Sequence, residues 1–305
     1  MRTLKVWAPK ARKLEVVCRA GRAKMARTQN DWWTADVELR PGDDYAFSIN
    51  DNEPRADPRS EWQPNGVHGW SRIVDQSAYR WTDDGWNPSQ LAKATIYELH
   101  IGTFTAAGTF EAAIERLEYL AGLGITHVEL MPVAEFSGDR GWGYDSVDLF
   151  APHHAYRGPC GLKRFVDACH ARHLAVILDV VYNHFGPAGN YLPRYGPYLT
   201  DRYSTPWGDA INFDGTGSDE VRRFFCDNAA MWFRDYHVDA LRLDAVHAII
   251  DSSAIPFIEQ LAHETKRLEA VLGRRLALIA ESDQNDPRLV RASELGGYGL
   301  DAVWC

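Results

Sequence analysis

The chain has 305 residues, with 42 acidic and 33 basic side chains and a formal net charge of -9. This length gives room for one large α/β domain and a smaller module. Because the net charge is negative and long basic runs are missing, we do not expect nucleic acid or an anionic membrane surface as a partner.

Cysteine usage and hydropathy indicate the cellular compartment. The five cysteines include no Cys-x-x-Cys pair, which predicts reduced thiols instead of a disulfide framework. The N-terminal sequence MRTLKVWAPKARK lacks the apolar run of a signal peptide, and no segment is apolar for long enough to span a bilayer. We therefore expect a globular cytoplasmic protein. Nothing in the sequence determines its oligomeric state.

Residues 1–90 predict an antiparallel β-sandwich followed by a connector. Pro, Gly, Asn and Asp clusters separate short runs of alternating, β-branched or aromatic residues. These runs are LKVWAP, KLEVVCR, WWTADVEL and DDYAFSI. The stretch 53–88 is rich in Pro, Asp and Trp, and we expect it to be extended and to pack on its neighbours. Its tryptophans are Trp62, Trp70, Trp81 and Trp86.

Residues 91–305 alternate between strand and helix patterns, which predicts a parallel sheet with helical crossovers. Strands are expected at ATIYELHIG, ITHVELMPV, LAVILDVVY, VDALRLDAV, LALIAES and DAVWC. Helices are expected after an N-cap at Thr109, near 161–173, after an N-cap at Ser218, and at about 253–272. About six strands are too few to close an eight-stranded barrel. The predicted fold class is therefore α/β, with an incomplete (β/α)8 TIM barrel after the sandwich.

The third connection of this barrel, 183–218, is too long for an ordinary βα loop and is rich in Gly, Pro, Tyr and Asp. Loops of this length inside a compact domain are usually functional. We therefore expect this loop to form part of a binding site.

Polar side chains follow several of the predicted strands, at the end of a barrel where catalytic groups gather. Asp244 and Glu281 follow successive strands, so their carboxyl groups are expected to approach to about 5 Å, the separation of a retaining glycosidase. Arg242 precedes Asp244 by two residues on the same strand face and would keep that carboxylate ionised and oriented. Glu281 follows an apolar run that would favour its protonated form. By themselves, Arg242 and Asp244 could form a structural ion pair, and Glu281 could be a solvated loop residue.

Other chemistries find little support in the sequence. His263-Glu264 lacks the second histidine of a His-Glu-x-x-His zinc motif, and His153-His154 is a weak metal signal. Dinucleotide and P-loop signatures are also missing. We therefore expect no metal site.

Three ordered segments resemble the signatures of the α-amylase superfamily, glycoside hydrolase family 13. They are DVVYNH at 179–184, LRLDAVH at 241–247 and IAES around Glu281. The resemblance implies that Asp244 is the nucleophile and Glu281 the proton donor. It also implies that sugar is contacted by Arg242, His247, His184 and Tyr144, with Trp207 lining further subsites.

The same resemblance implies no cofactor, although Asn183 matches a calcium ligand of many family members. The third catalytic Asp of the family would lie beyond Cys305.

Longer segments resemble the trehalose-releasing members of this family. They include YELHIGTFTAAGTF, LMPVAEFSGDRGWGYD and LFAPHHAYRGPCGLK. This resemblance implies hydrolysis of the α-1,4 bond next to the terminal trehalose of malto-oligosyltrehalose, or of a related α-glucan. Two alternatives stay open: a 1,4-α-glucan branching enzyme of the same family, and a truncated, catalytically silent chain that at most binds glucan.

Overall fold

Two antiparallel sheets form the N-terminal part of the protein in the computed structural model, which describes residues 2–305. The strands are β1 (Arg2–Trp7), β2 (Leu14–Cys18), β3 (Gly21–Lys24), β4 (Ala26–Arg27), β5 (Trp32–Val37), β6 (Asp44–Ile49) and β7 (Ser71–Arg72). One sheet has the order β1-β5-β4 and the other β3-β2-β6-β7. Residues of both sheets, such as Leu4 of β1, Val16 of β2 and Phe47 of β6, are buried in a common core, which confirms the predicted sandwich.

Tryptophans of the connector pack against the barrel, as expected. Trp81 stacks on His237 with ring centroids 3.7 Å apart. Trp86 stacks on His170 at 4.5 Å, and its Nε1 donates to Asp239 Oδ1 over 2.9 Å. The partly buried indole of Trp86 therefore both covers apolar surface and satisfies its one donor.

The rest of the chain alternates between strands and helices. The strands are β8 (Ile96–Leu99), β9 (His127–Leu130), β10 (Ala134–Phe136), β11 (Ser146–Pro152), β12 (Ala175–Val180), β13 (Leu199–Thr205), β14 (Gly208–Ile211), β15 (Ala240–Leu243), β16 (Ala277–Glu281) and β17 (Ala302–Trp304). The helices are α1 (Ile101–Phe104), α2 (Phe110–Ile114), α3 (Leu117–Gly122), α4 (Gly158–His170), α5 (Leu192–Tyr195), α6 (Ser218–Asp235) and α7 (Phe257–Leu272).

Six of these strands form one parallel sheet in the order β17-β16-β15-β12-β9-β8. All five pairings are parallel, and the central strands are buried on both faces as covered parallel strands should be. Within the described residues, β8 and β17 each pair with only one neighbour. The six-stranded partial barrel confirms the predicted fold class.

Helix boundaries differ from expectation at several points. Thr109 caps α2 by accepting from the backbone N–H of Ala112, as predicted, but α2 and α3 are separate helices. The predicted N-cap at Ser218 is wrong: Gly217 occupies that position with a left-handed φ of 80° and Ser218 is the first helical residue.

Helix α7 begins at Phe257, four residues later than the sequence pattern suggests. Pro256 restricts the residue before it to extended backbone. The carboxylate of Asp251 accepts from the Phe257 N–H over 2.6 Å and so supplies a cap from outside the helix.

Two antiparallel hairpins are inserted into the loops above the sheet. One consists of β10 and β11 and lies between β9 and α4, where the sequence predicted only a long loop. The other joins β13 and β14 within the long loop 183–218, together with α5. The loop expected to be functional therefore has its own regular structure. In the described part of the chain, no helix combines the length and apolarity needed to cross a membrane.

Candidate active site

The register of the parallel sheet brings polar side chains of three strands to its C-terminal edge. Asp179 of β12 pairs with Arg242 of β15, and Arg242 pairs with Ile279 of β16. Asp244 follows β15, and Glu281 is the last residue of β16. The loops of parallel strands open at this edge, so these side chains face one common space.

Arg242 lies at the centre of the cluster. Its Nη1 donates to Asp179 Oδ2 over 2.5 Å and to Asp244 Oδ1 over 3.3 Å. Its Nη2 lies 3.9 Å from Glu281 Oε2, and its Nε lies 3.7 Å from Glu129 Oε1. One guanidinium therefore contacts four carboxyl groups and fixes their relative positions.

Backbone and amide groups also hold the carboxylates predicted to be catalytic. Asn183 Nδ2 donates to Asp244 Oδ2 over 2.8 Å. The Ala245 N–H donates to Glu281 Oε2 over 2.6 Å. Ala245 has a left-handed φ of 43°, a conformation that costs a non-glycine residue about 1 kcal/mol or more. This strained residue links the two carboxylates directly.

Burial changes the charge balance around Arg242. It raises the pKa of Asp179, and Arg242 offsets only part of this effect. It also raises the pKa of Glu129 to about 7 against the opposing attraction of Arg242. Both residues are fully buried. For both of these deeper carboxyl groups, the effect of burial outweighs the attraction of Arg242.

The pKa of Arg242 itself responds in the opposite direction. Burial opposes its charge, but the surrounding acidic groups, Asp179 first, outweigh that effect and raise its pKa. Arg242 is therefore a permanent cation in this site.

Tyr144, His184 and Trp207 form a continuous polar and aromatic wall beside the carboxylates. The Tyr144 hydroxyl donates to Asp179 Oδ2 over 2.9 Å, and burial followed by the charge of Asp179 raises its pKa. His184 Nε2 donates to the Tyr144 carbonyl oxygen over 2.8 Å. The half-exposed Trp207 stacks on His184 with centroids 4.7 Å apart and an interplanar angle of 8°. Its free face is available to a ligand.

His247 is the one predicted site residue that the structure does not bring to this cluster. It is exposed and lines a neighbouring cleft with Asp286, Arg288 and Tyr298. Among residues 2–305 its ring hydrogen-bonds to none of the carboxyl groups around Arg242.

Sequence reasoning gave no role to Glu129 and considered Asn183 only as a calcium ligand. A charged residue inside the apolar run HVELMPV was the available signal for Glu129, because a fully buried carboxyl group needs a partner or a task. The amide of Asn183 is already engaged by Asp244, and its Oδ1 lies 2.5 Å from His184 Nδ1.

Comparison with known proteins agrees with this geometry. Residues 59–197 match the model of the alpha amylase catalytic domain. The chain is 52% identical to the malto-oligosyltrehalose trehalohydrolase of Arthrobacter ramosus over 308 residues, covering 99% of this chain and 54% of that protein. It is 34% identical to a 1,4-alpha-glucan branching enzyme of Pseudoalteromonas atlantica, over 74% of this chain and 34% of that enzyme.

A solved structure shows the same fold. The crystal structure of "Putative alpha Amylase" from Salmonella typhimurium superposes with a TM-score of 0.88 at 41% identity, covering 93% of this chain and 48% of that one. The chain spans about half the length of the curated relatives it matches. These similarities, the partial barrel and the preceding sandwich show that the chain belongs to the α-amylase family.

Proposed function

We propose that this chain supplies the nucleophile and the proton donor of a retaining α-glucan hydrolase that releases trehalose from malto-oligosyltrehalose. The observation that carries the proposal is the contact of one guanidinium, that of Arg242, with both Asp244 and Glu281 at neighbouring strand ends. Two carboxyl groups held close together on one face are what a double-displacement glycosidase requires.

In the proposed reaction, Glu281 gives its proton to the glycosidic oxygen as the bond to the anomeric carbon breaks. Asp244 attacks that carbon and forms a covalent glycosyl ester. Glu281, now ionised, removes a proton from a water molecule that attacks the same carbon and releases Asp244. Two inversions give net retention of configuration.

The remaining cluster residues support this division of roles. Arg242 and Asn183 both donate to Asp244, which holds its carboxylate in one orientation. Glu281 is more exposed, with a relative side-chain exposure of 29% against 13% for Asp244, so it can exchange protons with solvent between the two steps. Arg242 thus orients the pair without taking part in proton transfer.

Similarity favours malto-oligosyltrehalose as the substrate. The trehalohydrolase of Arthrobacter ramosus shares 52% of aligned residues with this chain, against 34% for the branching enzyme. The exposed face of Trp207 above His184 suits the apolar face of a glucose ring. His184 and Tyr144 would contact the sugar in the cleavage subsite, and His247 would join them only if its loop moved.

We also propose that residues 1–90, the sandwich with its connector, form one domain and residues 91–305 the catalytic one. The five cysteines of the chain are free, which fits a cytoplasmic enzyme of trehalose biosynthesis.

Product analysis with maltotriosyltrehalose tests the proposal in the protein that carries this sequence. We expect trehalose and maltotriose, with the new reducing end formed first as the α-anomer in a proton NMR time course. Asp244→Asn should reduce the rate at least about 10³-fold, as loss of a nucleophile does. Asp283→Asn, which neutralises an exposed carboxylate two residues beyond Glu281, is the matched control and should retain activity.

Substantial trehalose release by Asp244→Asn would refute the assignment of the nucleophile. Transfer of glucan segments to a second glucan, without release of trehalose, would favour the branching reaction instead.

A further inference from the structure

Three side chains near the β10–β11 hairpin form a cluster outside the active site. Glu135 lies in β10, and His153 and His154 follow β11 directly. One ligand atom of each residue lies within 4.8 Å of the other two. Glu135 and His153 are fully buried and His154 is partly exposed. The sequence alone shows only two adjacent histidines, because the carboxylate lies 18 positions earlier.

The carboxylate of Glu135 faces both imidazole rings. Its Oε1 lies 2.7 Å from Nδ1 of His154 and 3.3 Å from Nδ1 of His153. Its Oε2 accepts from the backbone N–H of His154 over 2.8 Å, so the carboxylate cannot rotate freely. Three donor atoms of the kinds that bind divalent transition metals are therefore held around one point.

A carboxylate orients His154 from its other side. Asp139 Oδ1 lies 3.0 Å from Nε2 of His154, which places the ring proton on that nitrogen. This is the arrangement by which proteins fix the tautomer of a metal-binding histidine. The lone pair of Nδ1 then points at Glu135, and the two can stay 2.7 Å apart only if a cation lies between them. That cation is either a proton or a metal ion.

The environment of His153 distinguishes these two possibilities. Neither nitrogen of its fully buried ring has a hydrogen-bond partner in the described part of the chain. Its ring stacks on Phe136 with centroids 3.8 Å apart, so packing fixes its orientation. A proton shared by His154 and Glu135 leaves His153 unpaired, which is costly for a buried polar group. A metal ion would engage its Nδ1 as well.

We propose that Glu135, His153 and His154 bind one divalent transition-metal ion, for which Zn²⁺ is the probe. In a tetrahedral zinc site, neighbouring ligand atoms lie about 3.3 Å apart. The distance between His153 Nδ1 and Glu135 Oε1 already has this value. His154 must move outward by about 0.6 Å to match the same geometry, which its partly exposed ring permits. Water completes the coordination.

The site would hold together the base of the hairpin. The loop between β10 and β11 carries Tyr144, whose hydroxyl reaches Asp179. A metal bound at the base of this loop would stabilise the hairpin without contacting the carboxylates around Arg242. The role is structural and does not depend on the proposed hydrolase activity.

Isothermal titration with ZnCl₂ tests this site, on chelator-treated protein without a histidine tag at pH 7.5. We expect one Zn²⁺ per chain with a Kd of micromolar or below, and visible absorption bands of tetrahedral Co²⁺ when CoCl₂ replaces zinc. His154→Ala, at the rim of the cluster, should weaken binding at least tenfold. His263→Ala, which removes an exposed histidine on α7 that contacts Ser293, should leave it unchanged.

Glu135→Gln should also weaken binding, but its carboxylate is fully buried and the variant can fail to fold, so His154→Ala is the deciding comparison. Absence of stoichiometric binding to the unmodified chain would overturn the proposal. Equal zinc affinity in the His154→Ala and His263→Ala variants would do the same, because it would place the ion elsewhere.

Discussion

Glu129→Gln should make the protein more stable, and the gain should grow with pH. The substitution keeps the size of the side chain and removes its charge. Glu129 is fully buried, and in the described residues neither of its oxygens has a hydrogen-bond partner. The nearest cationic atom, Arg242 Nε, is 3.7 Å away. Ionisation of this group in the folded protein is therefore poorly compensated.

The size of the effect follows from the change in pKa. Burial raises the pKa of Glu129 from 4.5 to about 7, a change worth about 3 kcal/mol at about 1.4 kcal/mol per unit. The folded chain keeps a proton that the unfolded chain releases above pH 4.5. The contribution of Glu129 to folding stability therefore falls between about pH 4.5 and 7 and then levels off. Glutamine has no proton to lose, so the variant escapes this fall.

Urea unfolding of both proteins between pH 4 and 8 measures the difference in unfolding free energy. We expect this difference to shift in favour of the glutamine variant by about 3 kcal/mol across that range. Contributions from other titrating groups, such as His170, cancel in the comparison. Glu98→Gln is the control, because it changes an exposed residue that pairs with Glu129 in the register of β8 and β9. Its difference in unfolding free energy from the native sequence should change by less than about 1 kcal/mol over the same pH range. Parallel pH profiles for Glu129→Gln and the native sequence would refute the reasoning.

Two further substitutions probe close packing and a buried ion pair in the barrel. Gly143→Ala would place its Cβ 2.2 Å from the Pro132 carbonyl oxygen, whereas the Cβ of Gly138→Ala, also at positive φ, meets nothing within 4 Å. Thermal unfolding should therefore show that Gly143→Ala loses about 1–3 kcal/mol more stability than Gly138→Ala. Equal losses of stability in the two variants would contradict the clash. Arg222→Ala should cost about 3–5 kcal/mol in urea unfolding because it removes the cationic partner of the buried Asp251 carboxylate. Exposed Arg223→Ala, next to it on α6, should cost under about 1 kcal/mol, and similar values for the two would contradict this account.

The parallel strands could be predicted because their apolar runs are continuous and are bounded by glycine, proline or polar residues. LAVILDVVY and LALIAES contain β12 and β16. The β10–β11 hairpin could not be predicted in the same way. Its second strand, SVDLFAP, is buried at all seven positions and includes Asp148, so neither alternation nor a purely apolar run distinguishes it from a loop.

Helix starts depended on contacts that local sequence does not contain. The first turn of α7 is capped by Asp251, six residues before Phe257, beyond the three-residue spacing of a local capping motif. At α6, serine is a favoured N-cap residue, but Ser218 is the first helical residue and Gly217 is the N-cap. The reason is that the chain enters the helix through a left-handed turn at Gly217.

One rule of strand geometry links the candidate site residues as far as Asp244, and His247 lies beyond the reach of that rule. Arg242 and Asp244 lie two residues apart, so their side chains share a face, and the parallel register carries this face to Glu281. After Asp244, the left-handed Ala245 and the 3₁₀ turn Val246–Ala248 end the alternation and direct His247 to a different cleft.

Glu129 shows the opposite limit. It lies 113 positions before Arg242 and two strands away in the sheet, so no local motif links the two residues. Only the parallel pairing of β9 with β12, and of β12 with β15, brings the carboxyl group of Glu129 under the guanidinium. The environment of Glu129, and hence its raised pKa, depends on the order of the strands in the sheet. The pH dependence predicted for Glu129→Gln is therefore also a test of that strand order.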